Sequence, residues 1–207
     1  QRYLAGDALA AIFHGTARID AETGSAYHAR LRAYVQHVCA NDLTLGIAMT
    51  DAKGDRRKKP HQQANPDTYV HVVERNGKGI VISGTKAIVT GAPYMHELLV
   101  MPSRNMGAED ADFAVCCAVP VDAPGLTLIS RPAGRPGEKL EHGSALFSRK
   151  YGQSTAVVIF DKVFVPWERV FYEGEWEHSG TLTYSYATHH RHSCIGARAG
   201  FGDLLIG

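Results

Sequence analysis

The residues predict an α+β chain in which helices come first, a mainly antiparallel, barrel-like β region follows, and the chain then returns to helix. Three features carry that expectation. Apolar residues recur at helical spacing before Asn41, short β-branched and aromatic runs fill the middle between Gly, Pro, Asn and Asp clusters, and from Thr181 the composition turns to Ala, Leu, Ile and Gly. The expected parts are 1–42 (the end of a helical domain), 43–175 (β-rich) and 176–207 (the start of a second helical domain).

Residues 7–19 are apolar with few breakers and carry Leu9, Ile12 and Phe13, which predicts a helix. Ser25 is the expected cap of a second helix in which Tyr27, Leu31, Tyr34, Val35 and Val38 share one face. At Asn41 the periodicity changes, and 43–50 leads into a charged stretch. Beyond it, 69–75 and 80–83 flank Asn76-Gly77-Lys78-Gly79, a hairpin pattern in which Asn-Gly would supply positive φ angles. Runs at 85–90, 97–101, 113–121, 126–130 and 155–165 read as further strands. Cys116 and Cys117 are adjacent within one of them, so they are expected to be buried on opposite faces and not to form a redox pair. Asp161, Pro166, Trp167 and Arg169 read as the end of the last strand and its turn, a structural duty. Gly196, Gly200, Gly202 and Gly207 would suit a helix packed tightly against a neighbour.

The 207 residues are 44% hydrophobic and 21% charged, the makeup of a soluble globular protein. A formal charge of +1 argues against nucleic-acid binding by bulk electrostatics, and no apolar run reaches the roughly 20 residues of a membrane helix. Neither partner is expected. Four cysteines show no metal-ligand spacing and no secretory peptide precedes them, so reduced thiols and a cytoplasmic location are expected. The first residues begin mid-pattern and the last are an uncapped apolar run, as in a piece of a longer protein.

Residues 49–63 hold the densest polar chemistry. Asp51, Lys53, Gly54, Asp55 and Arg56 lack the apolar periodicity of a buried element, so a loop with outward charges is expected. Two readings stay open from the residues alone. Lys53, Arg56, Arg57, Lys58 and Lys59 could meet a phosphate-bearing ligand, with Gly54 allowing close backbone approach, or the stretch could be a solvated charged turn.

Four segments, in order along nearly the whole chain, carry a more specific resemblance: 49–56, 86–91 (Lys-Ala-Ile-Val-Thr-Gly), 160–171, and His190-Arg191-His192-Ser193 with 200–203. Together they resemble the family of the 4-hydroxyphenylacetate 3-hydroxylase oxygenase component and 4-hydroxybutyryl-CoA dehydratase, flavoproteins with the acyl-CoA dehydrogenase-like fold. The resemblance implies that most of a C-terminal helical domain lies outside this chain. It also implies FAD, held by Met49, Thr50, Lys53, Gly54, Asp55, Arg56, Lys59, Pro60, His61, Gln62 and Thr90. The chemistry agrees, because flavin needs donors near its ring and cations at its pyrophosphate. No dinucleotide-fold glycine fingerprint is present.

The resemblance assigns His190 and Arg2 to catalysis: His190 would take a phenolic proton and Arg2 would hold the phenolate, which raises the ring's nucleophilicity. In the dehydratase the histidine position is an iron–sulfur ligand, but Tyr3 and Ala197 stand where two cluster cysteines would be, which argues against a cluster here. Ala8 and Ile47 replace substrate-binding residues of 4-hydroxyphenylacetate hydroxylases, so another substrate is expected. The implied activity is a two-component monooxygenase using FADH2 from a separate flavin reductase, oxygen and a small aromatic substrate, in a homo-oligomer, the family's usual tetramer. Two alternatives stand beside it: a flavin-dependent lyase or isomerase acting on an acyl-CoA, and a truncated module without activity.

Overall fold

The fold comes from a computed structural model, which describes residues 3–52, 54–131, 152 and 154–206. Helix α1 spans Tyr3–Thr23 and α2 spans Tyr27–Ala40. Their junction differs from expectation. Ser25 does not cap α2; the cap is Asp20, whose carboxylate accepts the Tyr27 and His28 amides at 3.0 and 2.9 Å and the Ser25 hydroxyl at 2.6 Å. A carboxylate from the preceding helix thus supplies what a local hydroxyl was expected to give, and its charge suits the helix N-terminus. The predicted face of α2 is the buried one, with Tyr27, Leu31, Tyr34 and Val38 inside.

Eight strands follow among the described residues: β1 (Leu45–Ala48), β2 (His71–Asn76), β3 (Gly79–Thr90), β4 (Glu97–Val100), β5 (Val115–Pro120), β6 (Leu126–Arg131), β7 (Thr155–Pro166) and β8 (Val170–Glu173). The barrel-like expectation fails, because the strands form two separate four-stranded sheets. One has the order β1-β4-β5-β8 and the other β2-β3-β7-β6. Every pair is antiparallel except β1 with β4, which run parallel because the long excursion between them returns the chain to the same end. Helix α3, Ser179–Ile206, comes last.

The layers follow from where apolar residues point. One core lies between the sheets and includes Ile80, Ile82, Leu98, Val100, Cys117, Val158 and Phe160. A second lies between the first sheet and the helices and includes Ile12, Leu31, Leu99, Cys116, Phe171 and Leu182. Cys116 and Cys117 therefore face different cores. Burial pushes the Cys116 thiol well up and the Cys117 thiol up to about 12. Arg169 and Tyr34 donate to one oxygen of buried Glu97 at 2.6 and 2.8 Å, which ties α2 to β4.

Three local expectations are corrected. The β2–β3 turn uses no positive φ at Asn76 or Gly77; Asn76 Oδ1 accepts the Lys78 and Gly79 amides at 2.9 and 3.2 Å, a side-chain turn that does the same work. The runs 80–83 and 85–90 are one strand, which continues through Gly84 opposite an extra residue of β7. On α3, an added Cβ at Gly196, Gly200 or Gly202 would meet nothing within 4 Å, so these glycines mark no close helix contact within the chain, and Ile195 and Phe201 beside them are exposed. No helix among the described residues is long and apolar enough to cross a membrane.

Candidate functional site

Strand β1 ends at Ala48, and the chain then crosses the bulged end of β3. There the Ala87 amide donates to Thr50 O at 2.8 Å and the Ala52 amide to Thr85 O at 3.0 Å. Beneath that crossing lies a buried ion pair. Lys86 Nζ is 2.7 Å from Asp51 Oδ1, with side-chain exposures of 2% and 4%, and it donates to Met49 O and Met101 O at 2.8 Å each. Asp51 also accepts the Val70 amide at 3.1 Å and the Ser103 hydroxyl at 2.6 Å. The expectation of outward charge fails at Asp51, because Lys86, the one cation of β3, reaches it from inside. Charges buried this deeply persist only when paired and hydrogen-bonded throughout, as these are.

The β3 register shifts between Lys86 and Val89, and inside this bulge Ile88 has φ 56°. A β-branched residue in the left-handed region is strained, and Ile88 is also 62% exposed. Nothing in the core holds it there; it forms the lip of a cleft. Gly91 (φ 72°) turns the chain after Thr90, where a side chain would strike the Met95 methyl.

The cleft has a volume of about 250 Å³. Met49, Met95, Leu45 and Ile47 give it apolar walls, Thr50 and Thr90 contribute hydroxyls, and Tyr186 and His190 of α3 close the far side. Four of the predicted residues, Met49, Thr50, Thr90 and His190, thus line one space, although they come from three stretches of chain. A second, more polar cleft of about 390 Å³ adjoins at Thr50 and is lined by Asp51, Arg56, Tyr69, Ser103 and Arg104. Arg104 is steadied by donating to Lys58 O and Tyr69 Oη, each at 3.1 Å.

The other described residues of the predicted loop line neither cleft. Pro60, His61 and Gln62 form a short 3₁₀ turn in which Pro60 is buried. Gln62 Oε1 accepts the Lys59 amide at 3.0 Å, and the His61 amide and Nδ1 meet Oδ1 of fully buried Asp110 at 3.1 and 2.7 Å. Burial alone would raise the Asp110 pKa, but the His61 ring and the His61 and Gly107 amides outweigh it and hold the carboxyl below its usual range. Gly54 is small for an internal reason, since a Cβ there would collide with Gln63 Oε1, which accepts the Asp55 amide at 3.0 Å. Asp55 accepts the backbone and then the side chain of Arg57, and both bonds lower its pKa. Arg2 and Lys53 lie outside the described residues.

His190 is set by residues that the sequence reading passed over. Its Nδ1 is 3.3 Å from Oδ2 of Asp7 on α1, and Tyr186 stacks on its ring at 5.5 Å and 11°. Burial, then the charges of Asp7 and Cys194, raise the Tyr186 pKa. Asp7 carried a readable signal as a lone acid among Ala5, Ala8, Ala11 and Ile12. So did Lys86, a lone cation in an apolar strand. Nothing in the residue pattern marked Ile88 or Arg104.

Comparison with known proteins gives the family and the fold. The family model described as "4-hydroxyphenylacetate 3-hydroxylase N terminal" matches residues 1–172. The chain is 38% identical over 209 residues to 4-hydroxybutyryl-CoA dehydratase/vinylacetyl-CoA-Delta-isomerase of Clostridium aminobutyricum, covering 100% of this chain and 43% of that protein. Among solved structures, an oxygen-tolerant archaeal 4-hydroxybutyryl-CoA dehydratase from N. maritimus superposes with a TM-score of 0.91 at 36% identity, covering 100% of this chain and 41% of that one. The oxygenase component of 4-hydroxyphenylacetate 3-monooxygenase, complexed with FAD, superposes with a TM-score of 0.72 at 27% identity, covering 91% and 37%. The chain therefore spans less than half the length of these relatives.

Proposed function

Because the chain belongs to the family of the 4-hydroxyphenylacetate 3-hydroxylase N-terminal region, we propose that it is the flavin-seating part of a two-component monooxygenase. The full-length enzyme takes FADH2 from a separate reductase and hydroxylates a small phenolic compound with oxygen. The observation that carries this reading is His190: an imidazole paired with a buried carboxylate on one nitrogen faces the cleft that holds Thr90, Thr50 and Met49.

The residues present fit FAD. A cleft with apolar walls and two hydroxyls suits a tricyclic ring, and the adjoining polar cleft with Arg56 and Arg104 suits a pyrophosphate. When bound, the reduced flavin supplies the electrons that activate oxygen for transfer to the ring. Thr90 and Thr50 would offer donors to the group, and Met49, Met95 and Ile88 would exclude water around it. Asp7 holds a hydrogen on Nδ1 of His190, which leaves Nε2 to take the proton from the phenol. Arg2, placed by the resemblance alone, steadies the phenolate. The exposed apolar residues Tyr184, Ile195 and Phe201 on α3 support assembly of the full-length protein as a homo-oligomer through its C-terminal helices.

The test is product formation by the full-length protein with FADH2, oxygen and a panel of phenols. The wild type should release hydroxylated product, and His190→Gln should abolish it while FAD binding persists. Absence of phenol-dependent product with FAD bound defeats the proposal. A second reading, a flavin-dependent lyase or isomerase on a CoA ester, draws support from the full-chain likeness to the dehydratases. It requires anaerobic turnover of a CoA ester, and an iron assay reports directly on the cluster that the dehydratase resemblance implies and that Tyr3 and Ala197 argue against.

A further inference from the structure

A tyrosine that is partly buried ordinarily finds a partner for its hydroxyl. Tyr27, Tyr34 and Tyr172, whose pKa values burial raises, do so: Tyr27 and Tyr34 donate to Glu175 and Glu97 at 3.0 and 2.8 Å, and Tyr172 pairs with Ser179. Tyr186, raised by burial as they are, bonds to no described residue. No side-chain oxygen or nitrogen among the described residues is both buried and unpartnered, so its hydroxyl meets open space, and the space that Tyr186 borders is the cleft. Its ring lies nearly parallel to that of His190, one turn along α3, with centroids 5.5 Å apart and 11° between the planes. Residues at this spacing project from the same side of a helix. Burial, with the charges of Asp7 and Cys194 adding to it, keeps the phenolic proton on Tyr186, which makes the group a donor at neutral pH.

Resting on the hydroxylase reading above, we infer that Tyr186 is a further catalytic residue, whose hydroxyl donates a hydrogen bond to the substrate's phenolic oxygen while His190 accepts its proton. The phenol O–H bond breaks, the proton passes to Nε2, and the charge left on oxygen is met by the tyrosine O–H, which keeps its own proton. Stacking on successive turns suits this division, because tyrosine carries its oxygen beyond the ring and reaches further from the helix than the nitrogens of a histidine. On the strand side, the side chains of Leu45, Ile47, Met49 and Met95 can donate nothing, so a donor aimed at charge that develops between these walls is worth more than the same contact in water. The titratable groups that face Tyr186 are Asp7 from α1 and His190 and Cys194 from its own helix; the described strand residues lining the cleft carry none.

Two variants of the full-length protein test the inference. Tyr186→Phe removes only the hydroxyl and keeps the stacked ring, whereas Tyr186→Leu removes both. 4-Nitrophenol is the probe, because its phenolate absorbs in the visible and its phenol does not, so difference spectra against FAD-loaded protein across a pH series give the midpoint of its ionisation in the site without turnover. Tyr186→Phe should raise that midpoint by about one to two pH units and lower kcat/KM for phenol hydroxylation roughly 10- to 100-fold, the worth of one hydrogen bond to a charged group, with FAD affinity unchanged. If the bound probe ionises at the same pH in wild type and Tyr186→Phe, or only Tyr186→Leu moves the midpoint, the hydroxyl makes no such bond; the inference is then overturned and the hydroxylase reading stands. A wild type that binds no phenol at all overturns both.

Discussion

Replacing Lys86 with methionine keeps most of the side-chain volume and removes one buried positive charge. The consequence can be worked from the contacts. All three ammonium hydrogens are engaged, by Asp51 Oδ1, Met49 O and Met101 O at 2.7–2.8 Å, and the pair is almost wholly shielded from water. After substitution, Asp51 keeps its bonds from Val70 and Ser103 but loses its counter-charge, and two carbonyls lose their donor. Breaking a buried pair from one side costs about 3–5 kcal/mol, far more than a surface pair is worth. For a cooperative unit of about 150–250 residues that corresponds to a loss of roughly 6–20 °C in Tm. Urea unfolding of the full-length protein, followed by circular dichroism, measures it for Lys86→Met, Asp51→Asn and the double variant. The single losses should overlap strongly, with a coupling of about 1–3 kcal/mol, because both remove the same interaction. Met49 O is one of the bonded groups, so FAD affinity should fall as well. Losses below about 1 kcal/mol, or losses that simply add, would refute the view that this pair anchors the cleft.

Other expectations follow from the same geometry. The Asp110 carboxyl titrates below its unfolded value, so its stabilising contribution is present above about pH 4 and is lost as pH falls through the folded pKa; the stability gap between wild type and Asp110→Asn, read from urea midpoints, should be open at neutral pH and close in acid. Ile88→Gly should raise stability or leave it unchanged, because it releases about 1 kcal/mol of left-handed strain, while equilibrium titration should show weaker FAD binding once the lip is gone. Cys116 and Cys117 should stay unlabelled by a thiol reagent at pH values up to about 9 and react only on unfolding, since burial raises both thiols.

The order of helices and strands was legible because periodicity is a local property. Tyr27, Leu31, Tyr34 and Val38 mark their helix face without any knowledge of what covers it. The split into two sheets was not legible, since β1 pairs with β4 across a stretch that holds the charged loop and β2–β3, and no local pattern encodes a partner so far away. Charge was read least well. Asp51 and Asp55 stand four residues apart in one polar run, yet one is buried on Lys86 and the other lies outside, bonded to Arg57. Residue type alone could not separate them, because burial of a carboxylate depends on a cation that arrives from another strand.

The same reasoning explains why only part of the predicted cofactor loop reaches a cleft. A loop that seats a ligand must first satisfy its own backbone, and in a stretch this polar the nearest donors and acceptors are its own side chains. Gln62, Gln63 and Asp55 hold the loop to itself, and Asp110 anchors it through His61. What remains for a ligand lies mostly at the start of the stretch, where Met49 and Thr50 line the first cleft and Thr50, Asp51 and Ala52 the second, with Arg56 beyond them. The motif is therefore divided by function along its length, its first residues facing the cleft and its later ones bracing them. Substitutions at His61 or Gln62 should accordingly act through loop stability, whereas those at Thr50 or Arg56 should change ligand affinity at constant stability.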